Sequence, residues 1–300
     1  MKIAIFGLGR MGSQIARKLH EGGHEIIAAN RSRGPVDEMK NLGMMVAYTK
    51  EEVVNLFGDE QIIIWLMVPS DVVDSELDIW LDLIPRRSIL IDGGNSKWSD
   101  TREMAKKVLK KGSQLLDIGT SGGVWGYQNG FSMMVGGDSA SFEIIKPFLE
   151  TLKAPTGDYQ YFGNNGSGHY VKMVHNAIEY GMMESLAEGY RLLKEGPYKD
   201  LDLYKAGVVW QKRSVITSWL NELVRDIMKD NPNQDGVGGE VAESGEARWA
   251  LEVAKEFNIE APAIQSSFDV RLDSEKGKVN FATKLLASMR NAFGGHKINN

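Results

Sequence analysis

The chain has 300 residues, of which 42% are hydrophobic and 25% charged, and its formal net charge is −5. This is the composition of an ordinary globular protein that can bury one large core or two smaller ones. The negative charge argues against a broad surface for nucleic acid or anionic membranes, because such surfaces need clustered positive charge. The absence of cysteine excludes disulfides, thiolate metal sites and cysteine nucleophiles.

The apolar runs of the chain are short. The longest, Ile62–Val68, is far below the roughly 18 residues that span a bilayer. The run that follows Lys2 ends at Gly7, which is too short for the core of a signal peptide. We therefore expect a soluble cytoplasmic protein with neither a membrane nor a nucleic acid as partner.

Short β-type runs alternate with helical patterns in the first half of the chain. An apolar stripe at helical spacing, from Met11 through Ile15 and Ala16 to Leu19, predicts a helix that ends at Gly22-Gly23. Several of the β-type runs are continuously apolar, which is typical of strands buried on both faces of a parallel sheet. The pattern predicts a doubly wound, Rossmann-like α/β domain. The predicted strands are Lys2–Phe6, Glu25–Ala29, Ile62–Leu66, Ser88–Ile91, Leu115–Ile118 and Phe131–Val135.

The pattern becomes helical past Asn164-Asn165-Gly166. A proline-free stretch from His169 to Lys194 predicts a helix roughly 39 Å long. Further helical patterns cover Leu203–Met228, Gly245–Phe257 and Ala261–Asp273. We predict a dinucleotide-binding domain over residues 1–164 and an all-α C-terminal domain for substrate binding and oligomerisation over residues 165–300.

A glycine-rich turn follows the first predicted strand and opens the first helix. It reads Gly7-Leu8-Gly9-Arg10-Met11-Gly12 and fits G-x-G-x-x-G, a pattern that also occurs in tight βα turns without a ligand. In this context small residues let the backbone approach a pyrophosphate, and the helix N-terminus offers free N–H groups. The sequence predicts a dinucleotide site that includes Gly7, Leu8, Gly9, Met11 and Gly12.

The end of the second strand bears on which dinucleotide binds. An NAD site usually has an acidic residue there, but this chain reads Asn30-Arg31-Ser32-Arg33, with no carboxylate before Asp37. Arginine binds a 2′-phosphate in bidentate fashion, and Ser32 adds a hydroxyl donor. We predict NADP, with Arg31 as the main discriminator; the alternative is a solvated basic turn.

Two more glycine-rich turns follow later strands. They are Asp92-Gly93-Gly94-Asn95-Ser96 and Thr120-Ser121-Gly122-Gly123. Ligands of doubly wound sheets bind outside the carboxyl ends of the strands, where both turns are expected to lie. Either turn could equally be an ordinary turn. Together they favour a substrate rim that includes Asn95, Ser121, Gly122 and Gly123.

One face of the long predicted helix is rich in chemically active side chains. Lys172, His175, Asn176, Glu179 and Tyr180 fall within an arc of about 140° at 100° per residue. We expect the opposite side to pack and fix the helix through Val171, Val174, Ala177 and Ile178.

Lys172 and Glu179 lie two turns apart, or roughly 10 Å along the axis. This spacing suits a substrate that lies along the helix, with a proton taken at one end and returned at the other. The alternative is a core polar network or a long-range ion pair. No spacing typical of metal ligands occurs, so we predict chemistry without a metal.

With these motifs the sequence resembles the 6-phosphogluconate dehydrogenase family, in a short form, over essentially the whole chain. The Lys-x-x-His-Asn-x-x-Glu-Tyr run from Lys172 distinguishes it from the related β-hydroxyacid dehydrogenases, which carry Lys-x-x-x-Asn. The other matching segments are Gly7–Gly12, Asn30–Ser32, Asp92–Ser96, Ser121–Gly123, Gly168–Tyr180 and Arg290–His296.

The resemblance implies oxidation of C3 of 6-phosphogluconate, then loss of C1 as carbon dioxide, giving ribulose 5-phosphate with reduction of NADP, as in the pentose phosphate pathway. Lys172 would take the C3 hydroxyl proton and, as an ammonium, polarise the ketone; Glu179 would deliver a proton to C1 of the enediol. Because the pKa of a free lysine is about 10.4, we predict that burial or the cationic nicotinamide lowers it for Lys172. Further implied contacts are Asn95, Ser121, Gly122, Gly123, His175, Asn176 and Tyr180 for the sugar acid, and Asn30, Arg31, Ser32, Val68 and Asn95 for the cofactor.

The chain departs from the family at the expected phosphate site. Thr217 takes the place of an arginine, and Arg248-Trp249-Ala250 replaces a Lys-Trp-Thr triplet. Lys212, Arg213 or Arg248 are the candidates to compensate. Arg290 and His296 match a family tail that enters the substrate site of a neighbouring subunit, which implies a homodimer or homotetramer.

Three other functions stay open at this point. A β-hydroxyacid dehydrogenase or semialdehyde reductase would leave His175, Asn176 and Glu179 unexplained, although Thr217 and Ala250 favour it. A related variant is a decarboxylating enzyme that acts on another sugar acid. A non-catalytic NADP-binding regulatory protein would bind the cofactor without turnover.

Overall fold

The computed structural model describes residues 1–298, and contacts within the chain divide it into two compact units. The first is Met1–Met173 and the second begins at Val174. One helix, α8 (Ser167–Glu195), begins in the first unit and continues into the second. The domain boundary at residue 164 stays a prediction, and the last two residues of the range 165–300 lie outside the described residues.

The first unit, all of which is described, is built on an eight-stranded sheet of order β3-β2-β1-β4-β5-β6-β7-β8. β1 and β4 are neighbours, so the strand order reverses between them, and the carboxyl ends at this point are where doubly wound sheets bind ligands. The strands are β1 (Lys2–Phe6), β2 (Glu25–Ala29), β3 (Met45–Ala47), β4 (Ile63–Leu66), β5 (Ile89–Asp92), β6 (Gln114–Ser121), β7 (Ser132–Gly137) and β8 (Tyr159–Gly163).

All six predicted strands are confirmed, most within one residue at each end, although β6 extends three residues further, to Ser121. Two strands, β3 and β8, were not predicted from the sequence. β3 has only three residues, too few for a periodic signal. β8 is a polar, partly exposed edge strand without a continuous apolar run.

The sheet is mixed rather than fully parallel. β7 runs antiparallel to β6, with Ser121 opposite Ser132 and Leu116 opposite Gly137. The connection from β6 to β7 holds only a short 3₁₀ turn and a four-residue helix. A parallel crossover needs a dozen residues or more, so this connection turns the chain back. The longer helix after β7 makes β8 parallel to β7.

Helices cover both faces of the sheet. The first follows the prediction: Ile15, Ala16 and Leu19 are fully buried, and Gly22 forms its C-cap. The helices of this unit before α8 are α1 (Arg10–Glu21), α2 (Arg33–Asn41), α3 (Lys50–Phe57), α4 (Val73–Leu83), α5 (Trp98–Lys110), α6 (Gly126–Asn129) and α7 (Ser139–Lys153).

The described part of the second unit is helical. The later turns of α8 contribute Met183, Ala187 and Tyr190 to its core, which also contains Leu285 and Leu286. None of the helices in residues 1–298 combines the length and apolar character that crossing a bilayer requires. The helices after α8 are α9 (Leu203–Trp210), α10 (Trp219–Asp230), α11 (Glu246–Glu256), α12 (Pro262–Glu275) and α13 (Phe281–Gly294).

The continuous helical pattern predicted over Leu203–Met228 is wrong in its middle. α9 ends at Trp210 and α10 begins at Trp219. The hydroxyls of Ser214 and Thr217 both donate to the carbonyl of Trp210, at 2.5 and 2.9 Å. Such side-chain bonds compete with the helical ladder. Thr217, the residue at the family's arginine position, therefore lies in a non-helical link.

The expected apolar face of α8 is also corrected. Ile178 is 52% exposed, whereas Lys172 and Tyr180, on the polar face, are 6% and 3% exposed. Of the four apolar residues named for packing, only Ala177 is buried. The polar face is more deeply buried because glycines of the sheet, a loop before α11 and an arginine of α12 lie against it.

Candidate active site

The turn between β1 and α1 requires glycine at two positions. A Cβ added to Gly7, whose φ is +103°, would lie 2.3 Å from the carbonyl oxygen of Met67. One added to Gly12 would lie 1.9 Å from the carbonyl oxygen of Gly7. At Gly9, the N-cap of α1, an added Cβ would meet nothing within 4 Å, and no side chain caps the helix. The turn therefore offers an open helix N-terminus that fits a pyrophosphate.

The end of β2 braces this turn. The amide of Leu8 donates to Oδ1 of Asn30 at 3.0 Å, and Nδ2 of Asn30 donates to the hydroxyl of Ser32 at 2.9 Å. Arg31, between them, is exposed. Arg33 stacks on the ring of Tyr48 with 5.2 Å from guanidinium carbon to ring centroid. Asn30 thus has a structural role, and Arg31 is presented beside the glycine-rich turn.

The loops after β4 and β5 lie against each other. Gly94 is so close to Val68 that an added Cβ would lie 3.0 Å from the Val68 carbonyl oxygen. Asp92, fully buried, accepts from the amide of Gly94 at 3.1 Å and the hydroxyl of Ser96 at 2.6 Å. This carboxylate fixes the loop that carries Asn95, next to the predicted cofactor residue Val68.

The loop after β6 has a backbone that only glycine adopts readily. Gly122 and Gly123 have φ values of +138° and +52°. Tyr127 links this loop to α1 by hydrogen bonds. Its amide donates to the side chain of Gln14 at 3.1 Å, and its hydroxyl donates to the carboxylate of Glu21. Ser121, Gly122 and Gly123 lie at the carboxyl end of β6, as expected from the strand-and-turn pattern, and their role as a substrate rim stays a prediction.

The first turns of α8 are docked directly onto the sheet. Asp117 of β6 accepts from the amides of Gly166 and His169, at 2.8 and 3.0 Å, and so caps the helix. A Cβ added to Gly119 would lie 2.3 Å from Cβ of Lys172, and one added to Gly168 would lie 2.5 Å from the carbonyl oxygen of Met134. Together with Gly136, these glycines form a seam of close backbone contact (Gly119, Gly136 and Gly168). Lys172 is therefore buried against Gly119, which precedes Ser121 by two residues in β6.

Further along α8, in the second unit, the predicted polar residues make two sets of contacts, one around Asn176 and one around Tyr180. His175 Nδ1 lies 2.9 Å from Asn176 Oδ1 and 4.0 Å from Glu179 Oε2. Asn176 Nδ2 donates to Glu246 Oε1 at 3.0 Å. The Tyr180 hydroxyl accepts from the amide of Ser244 at 3.1 Å and lies 3.2 Å from its hydroxyl oxygen. Three residues that contact this face of α8 were not predicted from the sequence: Ser244, Glu246 and Arg271.

Arg271 of α12 lies against Tyr180. Its guanidinium carbon is 3.2 Å from the centroid of the Tyr180 ring, and its side chain donates to the sulfur of Met183 at 3.7 Å. It is 2% exposed, and burial lowers the pKa of Arg271 to about 10, so the group is cationic at neutral pH. Helical spacing could have indicated that Arg271 is buried. It is three residues after Phe268 and four after Ser267, on the face that α12 buries.

Glu184, one turn beyond Tyr180, is a buried carboxyl group near the same arginine. Burial, with a smaller effect of Glu188, raises the pKa of Glu184 to about 7, while Arg271 opposes the rise. The folded-state pKa exceeds the unfolded value, so the native state binds the extra proton. Its stabilising contribution is complete below about pH 4.5 and is lost as the pH rises through about 7.

Glu184→Gln is therefore expected to raise stability at pH 8 relative to the unmodified protein, by about 2 kcal/mol, and to change it far less at pH 4.5. Glutamine keeps the size of the side chain and needs no proton. Urea unfolding at both pH values measures the difference. Equal effects of the substitution at pH 4.5 and pH 8 would contradict the raised pKa.

The remaining predicted substrate residues lie on other elements of the second unit. Arg248 is half exposed on α11, and its guanidinium pairs with Glu243 at 2.6 Å. Arg290 is on α13, and His296 is exposed beyond the end of that helix. That Arg290 and His296 enter the substrate site of a neighbouring subunit stays a prediction. No group of three or more His, Cys, Asp or Glu side chains within residues 1–298 is arranged to hold a metal, and the metal-free chemistry likewise stays a prediction.

The sheet order and the glycine-rich turn define a dinucleotide-binding α/β protein with a helical second unit. Residues 2–163 match the family model described as the NAD binding domain of 6-phosphogluconate dehydrogenase. Residues 168–298 match that of the 6-phosphogluconate dehydrogenase C-terminal domain. The chain belongs to the 6-phosphogluconate dehydrogenase family, an oxidoreductase family.

Individual relatives agree with this family. The NAD(+)-dependent, decarboxylating 6-phosphogluconate dehydrogenase of Haloferax volcanii is 35% identical, over 99% of this chain and 98% of its own. YqeC of Bacillus subtilis, which is provisionally named a 6-phosphogluconate dehydrogenase, is 35% identical, over 99% of this chain and 98% of its own. The solved Plasmodium falciparum 6-phosphogluconate dehydrogenase, studied with NADP+ and with 6-phosphogluconate, is 27% identical with a TM-score of 0.84, over 93% of this chain and 63% of its own.

Proposed function

We propose that this protein oxidises and decarboxylates 6-phosphogluconate to ribulose 5-phosphate and carbon dioxide, with NADP as hydride acceptor. The observation that carries the proposal is the pair Lys172 and Glu179 on the continuous helix α8, seven residues apart. Lys172 is buried against Gly119, and Glu179 shares a helix face with His175. One group takes a proton and the other returns one to the same substrate.

NADP, held at the glycine-rich turn Gly7–Gly12 and by Arg31, would supply the acceptor for the hydride of C3, and the protein residues move the protons. Lys172 Nζ takes the proton of the C3 hydroxyl as the C3–H bond breaks. As an ammonium, Lys172 then returns this proton to the C3 oxygen while the C1–C2 bond breaks and carbon dioxide leaves. Glu179 delivers a proton to the former C2, which becomes C1 of the product, and Lys172 takes the enediol proton as the ketone re-forms.

Positive charge for the substrate phosphate is proposed to come from Arg271. Thr217, at the family's arginine position, carries no charge, and Arg248 is already paired with Glu243. Arg271 is buried, cationic and stacked on Tyr180, a predicted substrate residue. The attraction between the Arg271 charge and an anion is stronger in a low-dielectric interior than in water, which favours binding of the phosphate nearby.

The test is a coupled measurement of absorbance at 340 nm and trapped carbon dioxide, with 6-phosphogluconate and either NADP or NAD. We expect reduction of NADP with one carbon dioxide released per turnover. Gluconate is the control, because it lacks the phosphate and should turn over poorly. Reduction without carbon dioxide would replace the proposal with a hydroxyacid dehydrogenase; no reduction on any phosphorylated sugar acid would favour a regulatory NADP-binding protein.

The choice of NADP is proposed to rest on Arg31. Relatives in this family use either cofactor, so the family does not decide the choice. Arg31→Ala is expected to lower kcat/KM for NADP by roughly 10- to 100-fold, the usual loss for a hydrogen bond to a charged group, and to change kcat/KM for NAD little. Steady-state kinetics with both cofactors measure this. A higher kcat/KM with NAD in the unmodified enzyme would contradict the assignment.

We also propose that the active form is a homodimer or homotetramer, in which Arg290 and His296 complete a neighbouring subunit's site. Exposed apolar side chains on α8, such as Ile178 and Met182, are consistent with coverage by another copy. Sedimentation at assay concentration tests this. A fully active monomer would contradict it.

A further inference from the structure

Glu246 connects α11 to the active face of α8. It is the first residue of α11, follows the N-cap Gly245, and is 3% exposed. Its Oε1 atom accepts a hydrogen bond from Nδ2 of Asn176 at 3.0 Å. A helix N-terminus favours negative charge, so a carboxylate is well placed at this position.

The loop before α11 fixes where this carboxylate lies. Gly245 has a φ of +100°, and its amide donates to the side chain of Glu243 at 2.7 Å. The amide of Ser244 donates to the hydroxyl of Tyr180 at 3.1 Å. Since Asn176 and Tyr180 are four residues apart on one face of α8, Glu246 and the loop before it contact that face at two successive turns.

The hydrogen bond determines the orientation of the Asn176 amide. A carboxylate only accepts, so the group of Asn176 that faces Glu246 is the NH₂ group. The amide oxygen must then face His175, whose Nδ1 is 2.9 Å away. An oxygen in this position only accepts, so neutral His175 must carry its proton on Nδ1, which leaves Nε2 unprotonated.

We propose that Glu246 is a positioning residue that sets the tautomer of His175 through Asn176. His175 then offers an acceptor, Nε2, to a substrate hydroxyl. The same bond keeps Nδ1–H directed at Asn176 rather than at Glu179, which is 4.0 Å away. The mechanistic part of this inference rests on the proposed function, because Glu179 is the proton donor there. The tautomer itself does not.

The first test needs no substrate. Protein labelled with ¹⁵N-histidine gives long-range proton–nitrogen spectra in which the two tautomers have different nitrogen shifts, and His175→Gln identifies the His175 signals. We expect the Nδ1–H form in the unmodified protein. In Glu246→Gln, whose side chain presents either an oxygen or an NH₂ group, we expect a mixture or the Nε2–H form. An Nε2–H form in the unmodified protein, or no change in Glu246→Gln, overturns the proposal.

The second test is kinetic, with Glu256→Gln as the matched control. Glu256 is an exposed residue of the same helix, so its substitution removes the same charge without altering the contact with α8. We expect Glu246→Gln to lower kcat/KM about tenfold, the loss typical of a hydrogen bond to a charged group. We also expect its kcat–pH profile to shift, because His175 becomes free to pair with Glu179. Glu256→Gln should match the unmodified enzyme in both respects.

The two tests separate two kinds of failure. A changed tautomer with unchanged kcat/KM and pH profile would overturn the positioning role. If the enzyme does not turn over 6-phosphogluconate at all, the proposed function fails, yet the tautomer measurement still decides whether Glu246 orders the Asn176–His175 pair.

Discussion

Lys172→Met is expected to abolish reduction of NADP, with a loss of at least about 10³-fold in kcat. Methionine keeps most of the volume of the buried side chain but cannot take the C3 hydroxyl proton, and positioned bases contribute roughly 10²–10⁴-fold. The loss also includes the ammonium that polarises the ketone during decarboxylation. Single-turnover absorbance at 340 nm with saturating 6-phosphogluconate is the direct measurement, because it isolates the hydride step.

The control for this variant is Lys194→Met. Lys194 is the other lysine of α8, bonded to Asn233 at 2.6 Å near the end of the helix. It should keep full activity, which separates loss of the base from a general effect on the helix. Binding of NADP should persist in Lys172→Met. A retained single-turnover rate would remove Lys172 from its role.

Glu179→Gln is expected to lower steady-state kcat by about 10²-fold while leaving the hydride step largely intact. The oxidation precedes protonation of the enediol, and glutamine has no proton to deliver. The expected time course in stopped flow is therefore a burst of one NADPH per site, followed by slow turnover. This shape differs from that of Lys172→Met, which should show no burst.

Glu188→Gln is the matched control for this substitution. Glu188 is exposed on the same helix and lies outside the proposed machinery. It should show neither a burst nor a slowed steady state. If Glu179→Gln turns over at the unmodified rate, the proton comes from another group, and His175 is the first to test.

Much of the fold could be predicted because its signals are local. Buried parallel strands are continuous apolar runs, and the stripe on α1 is a simple 3.6-residue pattern. The errors occurred where local signals compete with specific contacts. The link between α9 and α10 looks helical by composition, but the hydroxyls of Ser214 and Thr217 take up the Trp210 carbonyl. Nothing in the hydrophobic pattern indicates that bond.

The candidate site was predictable only in part, for a similar reason. Lys172, His175, Asn176, Glu179 and Tyr180 share a helix, so their common face follows from spacing alone. Residues that reach this face from elsewhere depend on tertiary packing. Glu246 follows a glycine at a helix start, which predicts a helix but not that its carboxylate meets Asn176. The burial of α8 was misjudged because its polar face is covered by such residues.

The glycine seam at Gly119, Gly136 and Gly168 provides a way to change the position of Lys172, the proposed base, without replacing any polar side chain. At each of these positions the helix and the sheet are so close that only a hydrogen atom fits as the side chain. An added Cβ would lie 2.3 to 2.7 Å from the nearest atom. The substitution Gly119→Ala would displace Lys172 relative to Ser121, because the added methyl group would overlap with Cβ of Lys172. The seam is thus a mechanical spacer, and its thickness can be changed one methyl group at a time.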